Sequence, residues 1–293
     1  MRFSRLSLFI IILTTVLIGT NCSYYNQILA RKNLVDGASA YKNRKFQEAE
    51  RLFREAISRD PEGTTLEGKA AQLFLARTIH SVFIGNRGDK DKADEAIREY
   101  QRALTIDPKD QSSFKAVANL YENLNKDAEW LKWVTERANN GQIPDEQRSE
   151  AFTSLAARKN TCANDISDTE ATKKTVTKDG KQIFEFVKPA NEADFQTLKQ
   201  CAAEGVQLAQ KAVDLDQNSD SAYSYLTSLL IQNMRVAEME GNKQAAADFK
   251  TKSDTAKEKF TALAEVKRQK EQAEAERKKA EEEAAAAAAN KKK

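Results

Sequence analysis

The sequence predicts an all-α chain, a row of helical hairpins, and three observations carry that prediction. One amphipathic stretch occurs twice, as Phe46–Pro61 and Lys92–Pro108. Each copy has an alanine (Ala49, Ala96), an aromatic four residues on (Phe53, Tyr100), a second alanine three further (Ala56, Ala103) and a closing Asp-Pro (Asp60-Pro61, Asp107-Pro108). Composition agrees: 10 Gly and 4 Pro in 293 residues, with 31% charged, suit amphipathic helices and argue against a turn-rich sandwich or barrel. Elsewhere apolar residues recur at the helical period, as in Phe114, Val117, Ala118 and Tyr121.

The repeated stretch resembles the second helix of a tetratricopeptide repeat, where small residues admit the neighbouring helix and the aromatic fills the gap beside it. A weaker third copy keeps the spacing with Gly205, Ala209, Ala212 and Gln217. The resemblance implies a right-handed solenoid of about five helix pairs over 29–264, with one β-hairpin insertion and a charged helical tail. It further implies a protein or peptide partner, no cofactor and no catalysis. The runner-up is a structural spacer or envelope tether acting through the tail.

The amino terminus reads as an export signal. Arg2 and Arg5 precede the apolar run Leu6 to Ile18, too short for a span of about 20 apolar residues, so 1–21 is expected to be a signal peptide. Cys22 directly afterwards resembles the lipidation site of a bacterial lipoprotein, and 22–28 the tether behind it. Gly19 and Asn21 depart from that motif, which has a large aliphatic residue three before the cysteine and Gly or Ala just before it. Simple cleavage and an uncleaved anchor therefore stay open. Each reading puts the remainder outside the cytoplasm. Ser23, in place of Asp, implies the outer membrane, with secretion or inner-membrane anchoring as alternatives.

The elements follow in order. A first helix is expected over about 29–42, with Gly37 and Tyr41 near the small and aromatic places of the repeat. Asn43 to Lys45 turns into the first copy of the motif. Thr64 starts a longer helix whose period is marked by Leu66, Ala70, Leu73, Phe74, Arg77 and Val82, and Gly85 to Asp91 is a turn by composition. The third pair opens on Phe114, and its second helix, about 127–139, carries Trp130 and Trp133. The fourth opens on Phe152, Leu155 and Ala156, with Lys159 where the family has Tyr.

Between 165 and 190 the helical period fails. Asp179-Gly180 between two β-branched and aromatic runs signals a hairpin, setting Val176 against Ile183, Thr175 against Phe184 and Lys174 against Glu185. Helix resumes at Glu192, and a fifth pair opens on Tyr223, Leu226, Thr227 and Leu230. The last helix loses its large apolar residues after Val266. The tail, 265–293, is rich in Ala, Glu and Lys and has no apolar seam, so a solvated helix is expected rather than a coiled coil.

Several functions lack material. The net charge is +3 with both signs interleaved, and no basic stripe would grip nucleic acid. The chain holds one histidine, His80, beside Ile79, Val82 and Phe83, which favours a partly buried structural role over catalysis or a metal site. No Gly-rich phosphate loop occurs. Trp130 and Trp133, three apart, read as packing rather than a pocket. The hairpin reads equally as an edge offered to a partner or as a decorative insertion.

Proteins with this repeat line their concave face with first-helix residues, and some hold a peptide carboxylate with a Lys and an Asn spaced as Lys115 and Asn119 are. The matching positions on the next first helix hold Thr153 and Ser154, neither basic nor amide. A polar groove wall of Lys115, Asn119 and Glu122 is what the resemblance implies here.

The family spacing also bears on the cysteines. If Cys22 carries lipid, Cys162 and Cys201 remain, an even number for an oxidising compartment. In the family the first-helix aromatic and second-helix small residue stand about 16 apart, so the wider separation of Phe152 and Gly205 marks an insertion of about 37 residues. The resemblance thus puts Cys162 and Cys201 on opposite sides of one turn and implies a disulfide between them. Two buried thiols are the alternative.

Overall fold

The structure, a computed structural model, describes the backbone of residues 5–178 and 180–290 and the side chains of residues 24–178 and 180–284. Among the described residues ten helices follow one another along the chain, and a β-hairpin lies between the seventh and the eighth. The chain is an all-α array of tetratricopeptide-like helix pairs. It divides into two compact units, Met1–Trp130 and Leu131–Lys293.

The first unit holds α1 (Arg5–Lys42), α2 (Phe46–Arg59), α3 (Leu66–Gly85), α4 (Lys90–Ile106) and α5 (Gln111–Asn123). Each helix packs on the next, and α1 also meets α3. The repeated motif forms the buried side of the second helices: Ala49, Phe53 and Ala56 on α2, Ala96, Tyr100 and Ala103 on α4. Phe53 shows why the pattern needs a small residue opposite an aromatic. Its ring stacks on Phe74 of α3 at 5.6 Å between centroids. The same ring lies against Gly37 of α1, where a β-carbon would stand 2.7 Å from it.

The Asp-Pro endings have a further use. Asp60 follows α2, and its carboxylate accepts from the backbone amides of Thr64 at 3.0 Å and Thr65 at 2.8 Å, shaping the turn into α3. Thr65 then caps α3 by accepting from the Gly68 amide.

Two expectations need correction here. The stretch 24–27, expected to be a polar tether, is helical, because α1 runs through it; no Gly or Pro lies between Gly19 and Gly37, and extending a formed helix costs little. Leu66, expected to mark the period of α3, is 82% exposed, since it shares a line with exposed Ile84 and stands half a turn round from buried Leu75.

The second unit is entered within α6 (Asp127–Asn139) and contains α7 (Asp145–Ser167), β1 (Lys173–Lys178), β2 (Lys181–Phe186), α8 (Glu192–Leu215), α9 (Asp220–Met239) and α10 (Lys243–Asn290). Again α7 packs on α8, α8 on α9, α9 on α10, and α7 meets α9. Gly205 permits this: a β-carbon there would collide with Leu229 of α9 and lie 3.1 Å from the Lys159 β-carbon of α7. Where the family has Tyr, Lys159 instead pairs with Glu204 at 2.5 Å.

The hairpin has the register expected from its turn: Val176 opposite Ile183, Thr175 opposite Phe184 and Lys174 opposite Glu185. Asp179 of that turn lies outside the described residues. The last helix is continuous through 264, but its final partly buried residue is Glu265. From Val266 every described side chain is exposed.

Candidate binding face

The first helices of the first unit are tied side by side. Gln27 of α1 donates to Glu67 of α3 at 3.2 Å, and Tyr41 of α1 meets Ser81 of α3 at 3.0 Å. Arg77 of α3 donates to Ser112 of α5 at 3.2 Å. Each helix keeps a side turned away from these contacts, and helical spacing sorts its residues.

On α5, Lys115, Asn119 and Glu122 stand four and three apart and are all exposed, while Phe114, Val117 and Leu120 are buried. The structure therefore gathers the three groove candidates onto one stripe. Asn119 is positioned locally: Asn123 donates to its backbone and side-chain oxygens, both at 2.8 Å. The other half of the expected clamp is absent chemically as well as by sequence. Thr153 is 6% exposed and donates to the Ser149 carbonyl, and Ser154 donates to the Glu150 carbonyl.

Sequence reading missed the apolar part of this face. Tyr24, Ile28 and Val35 lie at steps of four and seven along α1, and all are exposed. On α3, Leu66 and Ile84 are exposed too, eighteen residues and so five turns apart on one line. Exposed apolar side chains gathered on one side of a helix mark an interaction surface more strongly than scattered ones do. The signal in the sequence was the pairing of tyrosines and aliphatics in a stretch otherwise polar.

The remaining candidates sort as follows. His80 is half-buried, with its Nδ1 3.3 Å from the Tyr100 hydroxyl and its ring edge-on to that ring. Burial, and then the Arg87 guanidinium, holds its imidazole below the usual histidine range. Trp130 is buried and Trp133 half-buried. The side chain of Cys22 lies outside the described residues. The structure joins Cys162 of α7 to Cys201 of α8, with Cα atoms 6.1 Å apart. They sit in an apolar cluster with Ala163, Phe195, Leu198 and Val236.

No protein-family model and no curated protein sequence matches the chain. Solved structures similar to it are tetratricopeptide-type proteins at low identity. PilF of Pseudomonas aeruginosa is 14% identical over 76% of this chain and 90% of its own, with a TM-score of 0.37. YrrB, described as a TPR protein with an unusual peptide-binding site, is 10% identical over 85% and 97%, with a TM-score of 0.38. MamA of Desulfovibrio magneticus RS-1 is 14% identical over 82% and 96%, with a TM-score of 0.34. At such values these likenesses carry no argument about function.

Proposed function

We propose that this chain is a non-catalytic protein- or peptide-binding scaffold of the bacterial cell envelope. Binding occurs at the exposed face of α1, α3 and α5. The observation that carries the reading is what these helices expose: Tyr24, Ile28 and Val35 on α1, Leu66 and Ile84 on α3, and Lys115, Asn119 and Glu122 on α5. Protein interfaces combine exposed apolar area with polar groups. That combination fits a partner segment that buries aliphatic side chains and carries polar groups.

Envelope placement rests on the sequence, through the charged and apolar start and Cys22 as the lipid-bearing residue. Replacing Cys22→Ser should release the protein from membranes or stall its processing. Unchanged detergent partitioning together with an unchanged mass of the mature amino terminus would sink that part.

The binding face is tested by capture in cells, with a photo-crosslinking residue at Ile28 or Asn119 and a control at Glu55 on α2. The face positions should trap a common partner, and Ile28→Glu with Leu66→Glu should abolish the adduct without changing the melting temperature. Equal capture from Glu55 would overturn the assignment. A second reading, an envelope tether, is favoured by the exposure of every described side chain of α10 beyond Glu265. Under it, deletion from Lys267 onward removes all function, whereas face binding survives that deletion.

A further inference from the structure

A cleft of about 840 Å³ opens in the second unit between α8, α9 and α10. Its walls are apolar: Val213 of α8, Leu226 and Leu230 of α9, and Phe249 and Ala256 of α10 all line it. Four of these are buried and Phe249 is half-buried. Its rim carries Lys211 of α8 with Lys252 and Lys259 of α10. Among the described residues, none that lines the cleft is Asp or Glu. Four acidic residues adjoin lining residues in sequence: Asp214, Asp248, Asp254 and Glu258. Asp214 accepts from Gln210 at 2.8 Å, Asp248 accepts from Gln244 at 3.0 Å, Asp254 pairs with Lys250 at 2.6 Å, and Glu258 is exposed. Two rim ammonium groups lie within cation–π range of rings, Lys211 5.6 Å from the Phe152 centroid and Lys252 5.9 Å from that of Phe249.

The occupant follows from size, charge and backbone chemistry. The volume falls within the roughly 300–1,000 Å³ of small-molecule sites. An α-helix about 10–12 Å across would fill it in only about one and a half turns, too little for a docked helix. An extended peptide fares worse, because every lining residue belongs to a helix whose amides and carbonyls are already paired, leaving the peptide's own groups unmatched. An alkyl chain makes no such demand, and an anionic head matches a rim that bears only positive charge.

We propose that this cleft binds one monomer of a single-chain anionic amphiphile of the long-chain carboxylate class. The chain lies against Leu226, Leu230 and Phe249, and the carboxylate is held by the rim lysines. The site is separate from the face of α1, α3 and α5 and stands independently of the function proposed for it.

The test is calorimetric titration of the full chain with octanoate, decanoate and dodecanoate, each below its aggregation concentration. One equivalent should bind, with affinity rising about three- to fourfold per added methylene. The combined Lys211→Gln, Lys252→Gln and Lys259→Gln variant should weaken dodecanoate about tenfold, the loss of a charge-assisted contact. Thr255→Trp, at an exposed position lining the cleft, should block binding while the fold is retained. The lysine variant changes only exposed side chains, so it reports even where the tryptophan disturbs packing. Equal binding of dodecyltrimethylammonium would overturn the role of charge, and unimpaired binding by Thr255→Trp the location. Capture of phosphatidylglycerol vesicles without monomer binding would make the lysines a membrane surface. Binding of an acidic amphipathic peptide but not of dodecanoate would make the cleft a peptide groove. Either of these last results overturns the proposal.

Discussion

The guanidinium of Arg235, on α9, lies over the ring of Phe186, at the end of β2, with its carbon 3.6 Å from the ring centroid. This contact clasps the hairpin to the helices. A two-stranded hairpin is marginal in water unless one face is supported. Lys173 adds to the support, since it pairs with Asp168 at 2.6 Å and stands 4.4 Å from the Phe184 centroid. Replacing Arg235→Ala should therefore loosen β1 and β2 while the helices stay folded. Hydrogen exchange of the strand amides is expected to rise by about tenfold, the scale of a desolvated cation–π contact. Unchanged strand protection would show that the clasp contributes nothing.

Cys162 and Cys201 are 39 residues apart in sequence and close the base of that hairpin. A bridge over such a loop contributes about 4 kcal/mol in the chain-entropy model. The denatured, unreduced mature protein is expected to show no reactive thiol from either position. Reduction should lower the melting temperature and raise proteolysis between 168 and 191 first. Two reactive thiols would leave a pair of buried sulfhydryls in its place.

Asp110 caps α5, the helix that bears the polar stripe. Its carboxylate accepts from the amides of Ser112 at 3.1 Å and Ser113 at 3.2 Å, and from their hydroxyls at 2.8 and 2.5 Å. Those bonds hold its pKa below the usual carboxylate range despite the opposing effect of burial. Asp110→Ala should cost about 1–2 kcal/mol in chemical denaturation, and Asp110→Asn should recover part of it. A loss of under about 0.3 kcal/mol would show the cap to be idle.

The pH dependence near neutrality should come from His80. Its folded pKa lies below that of the unfolded chain, so on acidification the unfolded chain takes up the proton first. Stability is then fully present above the ordinary histidine pKa and falls as the pH drops towards the folded value. Melting temperature should be lower at about pH 5.5 than at about pH 7.5, and His80→Gln should flatten that difference. Asp60 and Asp110, whose pKa values are lowered, add losses of the same sign only in the more acidic carboxylate range. An undiminished slope in the variant would move the effect to another group.

What the sequence discloses and what it hides divide along physical lines. The register of the hairpin is written locally, in an Asp-Gly turn and the alternation around it, and so is the helical face shared by Lys115, Asn119 and Glu122. The places of Ala49, Phe53 and Ala56 follow from a motif whose meaning is steric. Leu66 misleads because periodicity reports which side of a helix a residue is on, whereas exposure depends on what the fold puts there. The cleft was illegible for another reason. Lys252 and Lys259 stand seven apart on α10, but Lys211 lies on α8 with the whole of α9 between, so nothing in the linear order marks their common rim.

One consequence of α10 concerns temperature. Its first half is held by packing on α9, but from Val266 to Asn290, about 36 Å of rod at 1.5 Å per residue, its described side chains have no apolar contact to defend it. Beyond the pair of Lys267 with Asp220 of α9, that stretch rests on the intrinsic helix preference of Ala, Glu, Lys and Arg, with pairs such as Arg277 to Glu281 adding a few tenths of a kcal/mol. Helices stabilised in this way melt gradually from the end. The molecule therefore carries an arm whose reach shortens smoothly as it warms, well before the packed repeats give way together.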